Sequence, residues 1–209
     1  MNKPSTFLSK TEILDAAEQT LRRYGPDKTS VTDVAKLLGV SHGTLYRHFP
    51  SKAALREAVT ERWLVEKIIA PLSEIAGSET GSEEPLRQLR KYILKLVELK
   101  RFYAEEDPEM FKMYAAVTAE AAELIEDHID RIVRHLGLII SKGFQSKNIQ
   151  RINEPETLAR SIFHATARFH HPAHAYAWLS PNTGEEFNGL WTLIEQGLSG
   201  PHNKGGTSK

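Results

Sequence analysis

The chain has 209 residues, of which 40% are hydrophobic, enough for a small domain joined to a larger one. It has no apolar run that could span a bilayer, no signal-peptide stretch behind Met-Asn-Lys-Pro-Ser-Thr and no cysteine, so export, disulfides and thiolate chemistry are not expected and a cytoplasmic location is. Lys+Arg 27 balance Asp+Glu 27, but residues 1–63 hold 10 basic against 7 acidic groups, a net +3 that leaves −3 elsewhere; so weakly basic a segment neutralises few phosphates unless a dimer doubles it.

The predicted elements are all helical. Ser9 and Glu12 have capping-box spacing and open a helix through Ile13, Leu14, Ala17, Leu21 and Tyr24, which Gly25-Pro26 ends. Ser30 and Asp33 repeat the box for a second helix with Val31, Val34, Ala35 and Leu38 on its buried face and Gly39 as its left-handed stop. Ser41 caps a third, short helix; Val40 and Leu45 have staple spacing, Leu45 and Phe49 face inward, and Pro50 stops it. His42, Gly43, Thr44, Tyr46, Arg47 and His48 are left on its outer face. Two short helices joined by a Gly turn, the second with an outer face of donors and aromatics, predict a helix-turn-helix that reads the DNA major groove.

Ser51 caps a helix that begins at Lys52 and runs through Leu55, Val59, Trp63 and Ile68 towards Pro71, long enough to connect a three-helix head (1–52) through residues 53–70 to a body (71–201). A polar loop at 77–85 precedes a helix marked by Leu86, Leu89, Ile93, Leu96 and Val97. Asp107-Pro108 starts the next, whose apolar stripe runs through Met110, Met113, Val117, Leu124, Ile132 and Ile139 nearly to Gly143, with room for a break. Asn153 is expected to cap a helix running to about Trp178, kinked at Pro172. Phe187, Leu190, Trp191, Ile194 and Leu198 mark the last helix, stopped by Gly200-Pro201, and 202–209 are expected to be a disordered tail. The fold class is therefore all-α, about nine helices.

Residues 39–55, Gly-Val-Ser-His-Gly-Thr-Leu-Tyr-Arg-His-Phe-Pro-Ser-Lys-Ala-Ala-Leu, closely resemble the recognition-helix signature of the TetR (tetracycline-repressor) family of bacterial transcriptional regulators. The detailed match covers roughly residues 9–65; the remainder agrees in layout. The resemblance implies a homodimer whose two heads read successive major grooves of a palindromic double-stranded operator, and a body that binds a small effector. Carried over by position, Thr29 or Ser30, Tyr46, His48 and Lys52 would hold phosphates, with Ser41 at the helix start, and His42, Gly43, Thr44 and Arg47 would face base edges. Gly43 lets backbone approach the groove, and Arg47 can fork onto a guanine. The helices near 154–178 and 185–199 are the dimer candidates.

Nine histidines are unusual, and most lie in the body. His128 and His135, two turns apart, share a projected stripe with Val117, Ala121, Leu124 and Ile132; His164, Arg168 and His171 share another face. These five are the effector-pocket candidates, set against packing in the core or at a dimer interface. A metal site is not expected: His164 and His171 are roughly 10 Å apart along a helix, whereas ligand nitrogens must come within about 2.1 Å of one ion. Glu120, Glu123, Asp127 and Asp130 beside Arg131 and Arg134 read as a solvated face. No nucleophile elbow, phosphate loop or HExxH occurs. The reading is a non-enzymatic regulator, more often a repressor than an activator in such a family, without cofactor or membrane partner. A metal-dependent helical enzyme using the body histidines and an architectural DNA-binding module are the alternatives.

Overall fold

The computed structural model describes residues 8–27, 29–77 and 84–199. The expected disordered tail, the Gly200-Pro201 stop and most of the polar loop lie outside the described residues. Ten α-helices occur among them, and no strand: α1 (Lys10–Tyr24), α2 (Val31–Leu38), α3 (His42–His48), α4 (Lys52–Leu64), α5 (Ala70–Gly77), α6 (Pro85–Glu106), α7 (Pro108–Glu120), α8 (Ala122–Gln145), α9 (Pro155–Ala165) and α10 (Thr183–Ser199). They form two compact units, one running to Val65 and including Tyr103–Ile125, the other comprising Glu66–Phe102 and the chain from Glu126.

In the first unit the local signals act as expected. Ser9 with Glu12 and Ser30 with Asp33 form complete capping boxes, and Ser41 and Ser51 cap α3 and α4 through the N–H groups of Thr44 and Ala54. Each cap contributes about 1 kcal/mol by satisfying donors a helix start leaves open. Ile13, Leu21, Val34, Leu45, Phe49, Leu55 and Trp63 form the core. Tyr24, the last residue of α1, is 51% exposed, with the Arg23 guanidinium 5.2 Å from its ring centroid. α7 packs on α1 and α4, with Tyr114 5.6 Å from Trp63 between ring centroids. Asp107 does not cap α7; its carboxylate takes Arg22 Nη2 at 2.9 Å. Arg62 pairs with Asp15 at 2.7 Å and with Glu18, tying α4 to α1.

Beyond α4 the chain passes through a π-helical segment, Val65–Ile69, into α5. Pro71 therefore does not stop the helix. It occupies the second position of α5, where a missing N–H is tolerated, and the π turn absorbs the change of register.

The second unit is built on Leu89, Tyr92, Ile93 and Leu96 of α6, Ile132, Leu136, Ile139 and Ile140 of α8, Ile162 of α9 and Phe187 and Trp191 of α10. The stripe from Met110 to Ile139 is broken at Ala121 (φ −118°, ψ 71°), so Val117 belongs to α7 and does not share a helix with His128. After α8, Lys147 turns left-handed (φ 60°) and Ile149 folds back on Gly143, where a Cβ would lie 2.4 Å from Ile149 Cδ1. α9 starts after Glu154 rather than Asn153, whose Oδ1 accepts the Glu154 N–H at 2.8 Å; Pro155 at the first helical position removes the donor that Asn153 would have capped. It ends at Ala165 instead of kinking at Pro172. Pro172 has no N–H for the Arg168 carbonyl, which accepts Trp178 Nε1–H at 3.0 Å, and the chain continues in 3-10 turns, Ala167–Phe169 and Pro172–Ala177.

Candidate nucleic-acid interface

The turn between α2 and α3 is set by backbone bonds. Gly39 is left-handed (φ 65°), its N–H donates to Lys36 O at 3.2 Å, and Val40 N–H reaches Ala35 O at 3.1 Å. α3 then lies on the head through Leu45 and Phe49, both buried. Burying two such side chains contributes about 1.5–3 kcal/mol each, ample to hold a seven-residue helix that would be unstable alone.

That anchoring leaves Ser41, His42, Gly43, Tyr46, Arg47 and His48 exposed. At Gly43 an added Cβ would meet only Ser41 Oγ at 3.9 Å, an ordinary contact, and its φ is not left-handed. Nothing inside the chain requires glycine there. Thr44 is half-buried, with its hydroxyl 2.9 Å from Ser41 Oγ, so both are already engaged in the cap. Lys52 is exposed at the start of α4 and donates from Nζ to Asp27 O at 3.0 Å. Ser30, half-buried, is occupied by the Asp33 carboxylate, which that hydroxyl, above all, holds below its usual range. Thr29 departs from expectation: it is buried and its hydroxyl donates to Gly25 O at 2.8 Å, so it shapes the loop and has no hydroxyl to offer a phosphate.

Of the two expected faces, His128 and His135 do lie two turns apart on α8, whereas His164, Arg168 and His171 do not share a helix. His135 Nδ1 lies 3.0 Å from Tyr92 Oη, Arg168 is exposed and pairs with Glu186 at 3.0 Å, and His164 is exposed at the end of α9. His171 Nδ1 accepts the Ala173 N–H at 3.2 Å and so starts a 3-10 turn. The projection failed because α9 ends before Arg168. His128 is buried, and two residues outside the expected set, Lys100 and His170, are buried with it. Burial first, then Lys100, Arg131 and His170, holds His128 well below the usual imidazole range; burial and Lys100 bring His170 down to about 3. The missed signal for Lys100 was its register, four residues after Leu96 and seven after Ile93 on the apolar stripe of α6. Among the described residues no group of three His, Cys, Asp or Glu could hold a metal ion, and no helix is long and apolar enough to cross a membrane.

Comparison with known proteins places both parts of the chain. Residues 13–59 match the family model "Bacterial regulatory proteins, tetR family", and residues 85–191 match "Tetracyclin repressor-like, C-terminal domain". A nucleoid occlusion factor SlmA from Shewanella halifaxensis is 25% identical over 201 residues, 90% of this chain and 94% of the relative. NalD, described as the secondary repressor of the MexAB-OprM multidrug efflux pump in Pseudomonas aeruginosa, superposes with TM-score 0.59 at 20% identity over 90% of this chain and 96% of its own. FadR from Bacillus subtilis in complex with stearoyl-CoA gives 0.58 at 18%, over 91% and 100%. The chain belongs to the TetR family, whose members are DNA-binding transcriptional regulators and not enzymes.

Proposed function

We propose that this regulator is a cytoplasmic homodimeric repressor that grips a palindromic operator with α3 and releases it when a small-molecule effector binds in the body. The observation that carries the reading is the outer face of α3: Gly43, Tyr46, Arg47 and His48 are held out on a buried Leu45–Phe49 anchor, and no packing inside the chain explains Gly43. Arg47 and the Gly43 backbone would read base edges with His42, while Tyr46, His48 and Lys52 would hold phosphates. Residues 1–52 would act as the reading head and 71–201 as the effector-binding and dimerising part. The stretch 53–70, which contains the π-helical turn, would carry the change between them. Tyr176 and Leu193 are exposed large apolar side chains in the segments expected to pair, as a dimer requires.

Selection of bound duplexes from a random pool, with sedimentation of the purified protein, tests this. The expected outcome is a dimer and an enriched inverted repeat whose half-sites are about one helical turn apart. Recovery of duplexes without common sequence, or a protein that stays monomeric on the selected duplex, would overturn it.

A further inference from the structure

Two helix ends in the first unit frame a groove that takes no part in the proposed DNA contact. α1 closes on Arg23-Tyr24 and the last turn of α2 carries Lys36-Leu37, and all four side chains border one open cavity of about 490 Å³. Tyr24 is 51% exposed and Leu37 49%, whereas Ile13, Leu14 and Leu21 of α1 and Val31 and Val34 of α2 are buried. Arg23 and Lys36 are exposed and, among the described residues, form no ion pair. The Arg23 guanidinium lies 5.2 Å from the Tyr24 ring centroid, so cation and apolar ring are presented together. Two other lining groups are already engaged. The Asp33 carboxylate accepts the Ser30 N–H at 3.2 Å in the cap of α2, and the Thr20 hydroxyl donates to Ala16 O at 2.7 Å.

The carbonyl end of a helix favours cations in its last turn, which accounts for Arg23 and Lys36. It gives no reason for Tyr24 and Leu37 to stay in water beside them. Single apolar side chains are common on surfaces. Here two of them, from separate helices and each next to a cation in sequence, share one groove. The complement of apolar contact flanked by positive charge is an apolar side chain flanked by carboxylates. A small molecule needs most of its surface covered, and a groove with four exposed rim residues does not enclose one. A chain segment can lie along it and leave its outer side in water.

We infer that the α1–α2 groove docks a partner protein through a short acidic segment with an apolar anchor. The anchor, a leucine or an aromatic ring, sits against Tyr24 and Leu37, and the flanking Asp or Glu side chains meet Arg23 and Lys36. No lining residue belongs to α3 or is among those assigned to DNA, so the head can hold the partner and a duplex at once. Exposed ion pairs each add little, so the contact is a transient one and weakens as salt rises.

Random peptides displayed on phage, selected on the purified full-length protein and depleted on the Tyr24→Ser/Leu37→Ser double variant, test this. The enriched peptides are expected to share an apolar residue flanked by Asp or Glu. A synthetic copy of the most enriched peptide should bind wild type in fluorescence anisotropy, and Arg23→Glu/Lys36→Glu should weaken it at least about tenfold. Its affinity for protein saturated with duplex DNA should stay within about threefold of that for free protein. Thermal melting of each variant checks that it is folded; should a double variant not fold, Leu37→Ser and Lys36→Glu alone replace it. Failure to enrich any peptide, enrichment of basic or uncharged peptides, or an acidic peptide indifferent to the charge reversals would overturn the inference. So would displacement of the peptide by the duplex, or charge reversals that weaken duplex binding as much as peptide binding, since either result assigns the groove to DNA.

Discussion

Replacing Gly43 by Ala should move stability and DNA binding in opposite directions. The new Cβ would sit 3.9 Å from Ser41 Oγ and touch nothing else in the chain, so it adds no clash. Glycine within a helix costs about 0.5–1 kcal/mol relative to alanine. Position 43 is the second residue of α3, in its first turn, so the lower end applies. A gain of about 0.5 kcal/mol raises Tm by about 1–2 °C in a chain of this length. On DNA, in the proposed mode of binding, the same methyl would occupy the space through which the backbone approaches the bases. A loss of about 1 kcal/mol per half-site, counted twice in the proposed dimer, weakens operator binding about 30-fold. Scanning calorimetry and fluorescence anisotropy on the selected operator read the two effects. A lower Tm would refute the packing analysis, and unchanged operator affinity would refute the close approach.

The other predictions concern the second unit. Gly143→Ala drives a methyl to within 2.4 Å of Ile149 Cδ1, which is held in place by backbone bonds to Gly143 O; a destabilisation of about 1–3 kcal/mol is expected in denaturant unfolding, against the gain a glycine-to-alanine change in a helix ordinarily gives. His128 and His170 are bases whose folded pKa lies below the unfolded value, so the unfolded chain binds more protons below about pH 6.5 and stability must fall as pH drops. For His170 the fall is on the order of 2 kcal/mol at about pH 5, and His128→Phe should flatten the melting profile across that range.

What was legible in the sequence was local. Ser9, Ser30, Ser41 and Ser51 act within three residues of themselves, and Gly39 needs only its own backbone conformation, so caps, turn and α3 followed from spacing. The misses depended on distant partners. The helix expected through Trp178 ends at Ala165 because Phe169, His170 and Trp178 find buried positions that a continued helix would deny them. Thr29 looked available until Gly25 O claimed its hydroxyl. Lys100 was hidden because a lysine on an apolar stripe is ordinarily a long side chain reaching for water, and only the packing of α6 shows that it stays inside.

The central claim is that Arg47, held out by the Leu45–Phe49 anchor, reads the operator. Affinity of wild type and Arg47→Ala for the selected operator and for a scrambled duplex, at one salt concentration, tests it most directly. The account predicts a loss of at least about tenfold on the operator, a much smaller change on the scrambled duplex and an unaltered Tm. Equal losses on both duplexes, or operator affinity within about twofold of wild type, would contradict it.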